Sequence, residues 1–295
     1  MTPSVPFAER RFIKIMMEYQ PGDLKRVQQV SLSVLKEFIR ICEKYHLNYF
    51  AHWGTALGAV RHQGFIPWDD DIDVGMLRED YERFLQVAPG ELGDRFVLSS
   101  GFIQKNCSDM FTKMSAAHTI HVTEQESLWE YWHGIRVDIF PFDAVPEQED
   151  KRKRQFREIR FWNQVYIMKN LRCPMIPGNG LKSKGIRAIC RVMHVLLKAM
   201  PVNLILSRIR KASLRYRGQG DLVTLLYDMQ PEKYMLRLSD IFPLQEGEFE
   251  KMPIKLMNHN HMALQNSYGD YWELPPEDQR VNHYSGRLKF HETTG

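Results

Sequence analysis

Residues 65–76 read FIPWDDDIDVGM, and four aspartates (Asp69, Asp70, Asp71 and Asp73) fall within five positions of a stretch whose other residues belong in a core. Carboxylates that converge beside an apolar interior repel one another strongly unless a cation neutralises them. A chain that keeps them there must end an apolar strand at a polar site, and the flanking sequence says how. NYFAHW (48–53) is short and aromatic-rich and reads as a buried strand. Gly54-Thr55 follows, then ALGAVRH as a short helix, QGFIPW as a loop, and DIDVGM (71–76) as a second, alternating strand.

In that second strand Asp71 and Asp73 are two apart and share one face, with Ile72 and Val74 on the other. Asp69 extends the set from the preceding loop. GIRVDIF (134–140) alternates in the same way: Ile135, Val137 and Ile139 point one way, Arg136 and Asp138 the other, so Asp138 can join from a neighbouring strand. Such hard oxygen ligands suit Mg²⁺ or Mn²⁺, which bind substrate phosphates as well. Gly54-Thr55 sits where a strand hands over to a helix, a place where backbone approaches a phosphate and helix N–H groups receive it. Arg61 is close enough in sequence to reach the same anion. These are the parts of metal-assisted phosphoryl or nucleotidyl transfer. An acid run by itself is more often a solvated loop or a helix cap; the strand–turn–helix–strand order favours the site.

Elsewhere Asp23 caps a helix whose apolar positions Leu24, Val27, Val30, Val34, Leu35, Phe38, Cys42 and Tyr45 recur at three and four. LREDYERFLQVA (77–88) returns to helical spacing and stops at Pro89-Gly90; FTKMS (111–115) reads as a strand and FPFDAVPE as a loop. From about 149 to 217 the pattern is mainly helical, broken by CPMIPGNG (173–180) and Pro201, and the last seventy residues mix short strands and loops. Repeats, low-complexity tracts and long linkers are missing. The expectation is an α+β fold, a mixed β-sheet core flanked by helices, in one domain over 1–295 with a mainly helical basic lobe at about 149–220.

At 43% hydrophobic and 26% charged residues the chain has an ordinary globular composition. Cys42, Cys107, Cys173 and Cys190 form no C-x-x-C pair and read as reduced thiols. The first residues lack the apolar core of a signal peptide and no window is long enough to span a bilayer, so a cytoplasmic protein is expected. Net charge is +4, but no acid lies between Glu158 and Asp221 while thirteen Lys and Arg do, so the remainder is net acidic. Within that interval Ile186, Ile189, Met193, Leu196, Leu197 and Met200 form one stripe with Arg187, Arg191 and Lys198 off it. Val202, Ile205, Ile209 and Ala212 repeat the pattern beside Arg208, Lys211 and Arg215. Amphipathic helices packed on the domain with a solvated basic face are the plain reading. Peripheral contact of 181–217 with an anionic membrane is the second. Nucleic acid ranks below both, since no binding motif accompanies the charge. His259-Asn260-His261 lacks a matching partner set for a metal. Trp129, Tyr131 and Trp132 either pack or form a cage for a quaternary ammonium.

The Gly-Thr turn, the D-x-D pair and the later third acid together resemble the nucleotidyltransferase superfamily. HWGTALGAVRHQGFIPWDDDIDVGMLREDYERF is closer still to the signature block of the LicD family, which includes bacterial phosphocholine transferases and is related to the fukutin proteins. FTKMSAAHT, GIRVDIFPFDAVP and SYGDYWELPPEDQRVNHY follow in that family's order, so the resemblance runs from about 24 to 284. It implies a nucleotidyltransferase-like sheet and a transferase that moves phosphocholine, or a similar phospho-alcohol, from a CDP-activated donor to a sugar hydroxyl of a surface glycan, releasing CMP. The glycan would be carried on a membrane lipid. Asp71, Asp73 and Asp138 fall on the metal-binding and catalytic acids with Asp69 beside them, Gly54 and Thr55 on the phosphate turn, and Arg61, Lys113, Arg280 and His283 on positions suited to donor contacts. The lobe at 150–220 matches no motif, and acceptor choice is assigned to it. The alternatives are nucleotidyl transfer from a nucleoside triphosphate with release of pyrophosphate, and a non-catalytic scaffold; the complete set of acids disfavours the scaffold.

Overall fold

The computed structural model describes residues 19–290 apart from 105–106, 108, 124–125, 127–128, 130, 132, 172–179 and 285–286. The N-terminal segment, Trp132, Cys173 and most of the 173–180 break therefore lie outside the described residues. In chain order the first half runs α1 (Asp23–Lys44), β1 (Phe50–Ala51), α2 (Trp53–His62), β2 (Asp73–Leu77), α3 (Arg78–Val87), β3 (Phe96–Ser99), β4 (Thr112–Ala116), β5 (Ile120–Val122) and β6 (Arg136–Ala144). The second half runs α4 (Glu149–Asn170), α5 (Leu181–Leu197), α6 (Val202–Ser213), β7 (Leu222–Thr224), β8 (Leu236–Arg237), α7 (Leu238–Ile241), β9 (Gln245–Phe249), β10 (Met252–Leu256), α8 (Asn260–Tyr268) and β11 (Arg287–Lys289). The architecture is α+β.

The main sheet has the order β1-β2-β6-β4-β3, with β7 and then β8 added beside the far end of β6. Only β2 and β6 are parallel; the other pairs are antiparallel, so the sheet is mixed. Alternation sorts its two faces. Val74, Met76, Met114, Val137 and Ile139 point to one side and share a buried cluster with Val34, Leu35, Phe38 and Ile41 of α1, whose three-and-four spacing makes the matching stripe. Asp73, Asp138 and Lys113 point to the other side. Farther along that face Phe50 and Phe142 are covered by Val223, Leu236, Ile241 and Met257 from the later chain.

Three local readings of the sequence give way to packing. Strand β2 starts at Asp73, so Asp71 belongs to the loop before it and does not share the strand's face. Helix α2 starts at Trp53, which places Gly54 and Thr55 in its first turn rather than ahead of it. Strand β6 continues through Pro141 to Ala144, where a loop is expected from the proline. The Asp138 N–H donates to Ile72 on the β2 side at 2.8 Å, so the N–H of every odd-numbered neighbour faces the other edge. There β4 pairs only as far as Ile139 and β7 begins only at Asp143, so the donor that Pro141 lacks falls in the gap between them.

Helices α4, α5 and α6 form a layer of their own. Val165, Tyr166, Leu197, Ile205 and Ile209 bury one another together with Met110, three residues before Lys113. The Tyr166 hydroxyl donates to the Cys107 carbonyl at 2.8 Å, tying this layer to the segment that enters β4. Cys42 and Cys107 are buried free thiols and Cys190 is a partly exposed one.

Candidate active site

Register builds the centre of the site. Asp73 pairs with Asp138 across β2–β6, and Asp138 pairs with Lys113 across β6–β4, so the three stand in one cross-strand row. Arg136, two residues back along β6, donates from Nε to Asp138 Oδ1 at 3.0 Å. Arg136 and Lys113 also share Glu126, and Lys113 lies 2.7 Å from Asp109. Burial alone would raise Glu126, but the two cations outweigh it and hold it well below the usual carboxylate range. Burial likewise raises Asp138, and Arg136 and Lys113 oppose the rise. The hydrogen bond from Arg136 falls on Asp138 Oδ1 and not on Oδ2.

The acid loop meets this row from the other side. Asp69 is pushed well above the usual range by burial and by the charge of Asp71, with which it shares a hydrogen bond. Asp73 is pushed well above it by burial, then by Asp71, Asp138 and Asp69. Gly54 makes the convergence sterically acceptable, because a methyl group there would lie 2.6 Å from Asp69 Oδ2. Thr55 is buried and its Oγ1 accepts the Asp73 N–H at 2.7 Å. The Gly-Thr pair thus fixes the acid loop and the start of β2, a role that the turn's expected contact with phosphate does not reveal.

Asp70 behaves differently from its neighbours. It turns inward, where burial would raise it, but hydrogen bonds with His121 and His283 outweigh that and hold it well below the ordinary range. Tyr19 donates to its Oδ2 at 2.6 Å, the His283 N–H to its Oδ1 at 3.1 Å, and the His283 ring approaches at 3.0 Å. The His283 imidazole is raised to about 10 by that bond and the charge of Asp71, so it is a cation at neutral pH. Sequence reading passed over Asp70, Glu126 and Arg136, and also Tyr268, whose phenol is raised by burial and by the charges of Asp73, Asp69 and Asp71.

The remaining expected site residues hold the C-terminal segment against the acid loop. Arg61 Nη1 donates to the carbonyls of Tyr271 and Glu273. Arg280 donates to the Pro275 carbonyl at 3.0 Å and lies over the Trp68 ring at 5.0 Å, immediately before the aspartates. Neither touches the carboxylate row directly. His259 pairs with Asp240 at 3.0 Å and His261 with the Tyr271 hydroxyl at 2.8 Å, so both are structural. Trp129 stacks on Tyr166 and Tyr131 meets His133 edge-on, packing rather than a cage. A different aromatic wall lies next to the acid row: Phe111 packs on Phe140 at 4.3 Å, and Trp53 on Phe140 at 4.9 Å and Tyr234 at 5.3 Å. Trp53 adopts φ 41°, a left-handed conformation that a bulky residue takes only when its surroundings hold it there.

The donor set fits a hard divalent cation. Asp69, Asp71 and Asp73 offer only carboxylate oxygen, and their mutual repulsion is the condition such an ion relieves. Asp69, Asp70 and His283 also bring ligand atoms within 4.8 Å of one another. A protonated imidazole is a poor ligand, though, and Asp70 is already engaged; Asp69, Asp71 and Asp73 do not themselves all come within that distance of one another.

Behind the row, His52 caps α2 with both ring nitrogens unpartnered among the described residues, packed against Phe50, Trp53 and Phe142. Burial lowers its imidazole to about 3. The unfolded chain binds a proton below about pH 6.5 and the folded one does not, so this stability is present above that pH and is lost as pH falls toward 3. His52→Phe is expected to flatten this acid limb, with the gap in melting temperature between variant and parent widening from pH 6.5 downward. Parallel curves would show that His52 does not titrate on unfolding.

Residues 46–172 match the model of the LicD/FKTN/FKRP nucleotidyltransferase domain. The likeness of this segment is to a LicD-type domain. The segment carries Gly54, Thr55, the acid loop, Lys113 and Asp138, while Arg280 and His283 lie beyond it. The lipopolysaccharide cholinephosphotransferase LicD of Haemophilus influenzae is 29% identical over 272 residues, covering 88% of this chain and 96% of that protein. The human ribitol 5-phosphate transferase FKRP is 28% identical over 160 residues, 44% of this chain and 31% of its own. An uncharacterised protein of Rickettsia typhi is 38% identical over 82 residues, 26% of each. Together these similarities are to LicD-type transferases, over most of the chain in the Haemophilus protein and over less than half in the human one.

Proposed function

We propose that the chain transfers phosphocholine, or a similar phospho-alcohol, from a CDP-activated donor to a sugar hydroxyl of a cell-surface glycan precursor, releasing CMP. The observation that carries the reading is the Asp73–Asp138 cross-strand pair facing the acid loop inside a LicD-type domain. The named activities of the Haemophilus and human relatives, one a cholinephosphotransferase and one a ribitol 5-phosphate transferase, support a phospho-alcohol as the cargo.

Mg²⁺ or Mn²⁺ held by Asp69, Asp71 and Asp73, with Asp138 at the edge of the set, would draw charge from the donor diphosphate. Asp138 is the proton acceptor: Arg136 donates to its Oδ1 and opposes the rise that burial imposes, leaving Oδ2 for the acceptor hydroxyl. The hydroxyl oxygen bonds to the β-phosphorus as the bond from that phosphorus to the bridging oxygen breaks. CMP carries the bridging oxygen away, and the hydroxyl proton passes to Asp138. Gly54 in the first turn of α2 lets the donor phosphates approach backbone, and Lys113 and the His283 cation supply positive charge around them. The partly buried wall of Trp53, Phe111, Phe140 and Tyr234, one step along the same sheet face, suits a quaternary ammonium better than a polyol. The acceptor on this reading is still attached to its lipid carrier, at the inner face of the cell membrane.

Titration with CDP-choline, CDP-ribitol and CTP, each with and without Mg²⁺, followed by a CMP-release assay, tests the proposal. Metal-dependent binding of one CDP-alcohol, with CMP released on adding acceptor, is expected. Preference for CTP with release of pyrophosphate would replace it with nucleotidyl transfer, and binding of none of the three would refute it.

A further inference from the structure

Helix α5 has more apolar surface than its packing uses. It docks on α4 through Leu197, with Met193 and Met200 at the edge of the same cluster, and Lys169 of α4 donates to the Leu197 and Lys198 carbonyls at its end. Leu181, Ile189, Val192, Val195 and Leu196 are left outward, each between 59% and 89% exposed. Ile189, Val192 and Leu196 are three and four apart, so they make one continuous strip rather than scattered contacts. Beside the strip, Lys184, Arg191 and Lys198 recur at intervals of seven and so form one exposed basic row along the helix. The sequence stripe is split in two: Ile186, Ile189 and Leu196 are exposed, while Met193, Leu197 and Met200 pack inward.

We infer that this outward face of α5 seats the protein on an anionic lipid surface, with the apolar strip in the interface and the Lys184–Arg191–Lys198 row against the headgroups. A 17-residue helix is about 25 Å long, short of a bilayer's hydrocarbon core, and no single described helix is long and apolar enough to cross a membrane. Helices α5 and α6 pass a length-and-composition test only as a pair bent by 103°, and α6 spends Ile205, Ile209 and Ala212 on α4 inside the protein. A helix with one strongly apolar face and a basic flank lies in the interface plane. Charge separates lipid from a second copy of the chain. Two α5 faces brought together would oppose basic rows, and neither α5 nor α6 carries an acid to pair with them. The inference extends the lipid-borne acceptor proposed above, but its test reads the surface without reference to catalysis.

The full chain should co-sediment with vesicles containing about 30 mol% phosphatidylglycerol, less so with pure phosphatidylcholine, and less as salt rises. Val192→Glu with Leu196→Glu should remove binding. Lys184→Glu, Arg191→Glu and Lys198→Glu together should weaken binding to anionic vesicles by on the order of a hundredfold. All five positions are exposed, so circular dichroism and melting temperature should match the parent. Equal recovery on anionic and neutral vesicles, or on neither, would overturn the inference. So would a dimer in light scattering that Val192→Glu with Leu196→Glu dissociates, since a second copy would then be the occupant.

Discussion

Asp73→Asn should lower turnover by roughly a thousandfold or more while leaving the protein, in the presence of a chelator, more stable by a few degrees. The two effects have one origin. Asp73 is buried in a row with Asp138 and receives the field of Asp71 and Asp69, so its carboxylate is a strongly opposed charge. The amide has the same shape, keeps its backbone N–H on Thr55, and removes one of the converging charges. What stability gains, function loses, because the repulsion relieved by the substitution is what a cation and a diphosphate would otherwise use. Adding Mg²⁺ should raise the melting temperature of the parent and leave the variant unmoved. A variant that keeps its activity would refute the role of the row; one that loses activity and stability together would mark Asp73 as structural.

Arg78→Met is the converse case, a change expected to cost about 3–5 kcal/mol of stability, on the order of 10 °C in melting temperature. Arg78 opens α3 and grips Asp143 of β6 with both arms, Nε to Oδ1 at 2.7 Å and Nη2 to Oδ2 at 2.8 Å, with the Tyr227 hydroxyl at 3.2 Å. Asp143 is fully buried, so removing its partner leaves an uncompensated charge inside the protein. Arg78→Met with Asp143→Leu should recover most of the loss. Were the single variant as stable as the parent, the pair would be no anchor. The exposed bridges of Arg237 to Glu147 and Asp221 make a control: screened by solvent, they should barely register when broken.

Alternation carried much of the sheet from sequence. Ile72, Val74, Val137 and Ile139 put their apolar side chains on one face, and that alone turns Asp73 and Asp138 toward each other once the strands pair. The spacing from Asp23 gave the extent of α1, but Asp23 does not cap it: Gly22 is the N-cap, with no side-chain cap, and Asp23 stands in the first turn. What did not show has one cause in each case: a partner far along the chain. Nothing local says which of three adjacent aspartates turns inward, because Asp70 is chosen by Tyr19, His121 and His283. Arg61 looked free to meet an anion because the carbonyls it grips lie more than two hundred residues later. Pro141 argued for a loop because the gap that excuses it is made by the ends of two other strands. The α5 stripe was visible as a stripe, but periodicity does not tell a face that packs from a face that waits for lipid.

The loop of aspartates is held by residues from both extremes of the described chain: Tyr19 stacks on Tyr284 with ring centres 4.3 Å apart, and His283 closes over Asp70. A ribosome adds residues in order, at about 5–20 per second. The strands bearing Asp73 and Asp138 therefore emerge well before the histidine that answers Asp70, and until it arrives the loop carries its negative charges with one fewer counter-charge. The site cannot take its final form before residues 283 and 284 have been made, however well the sheet has formed. Sheet and site are thus completed at different times, the site only once His283 has emerged.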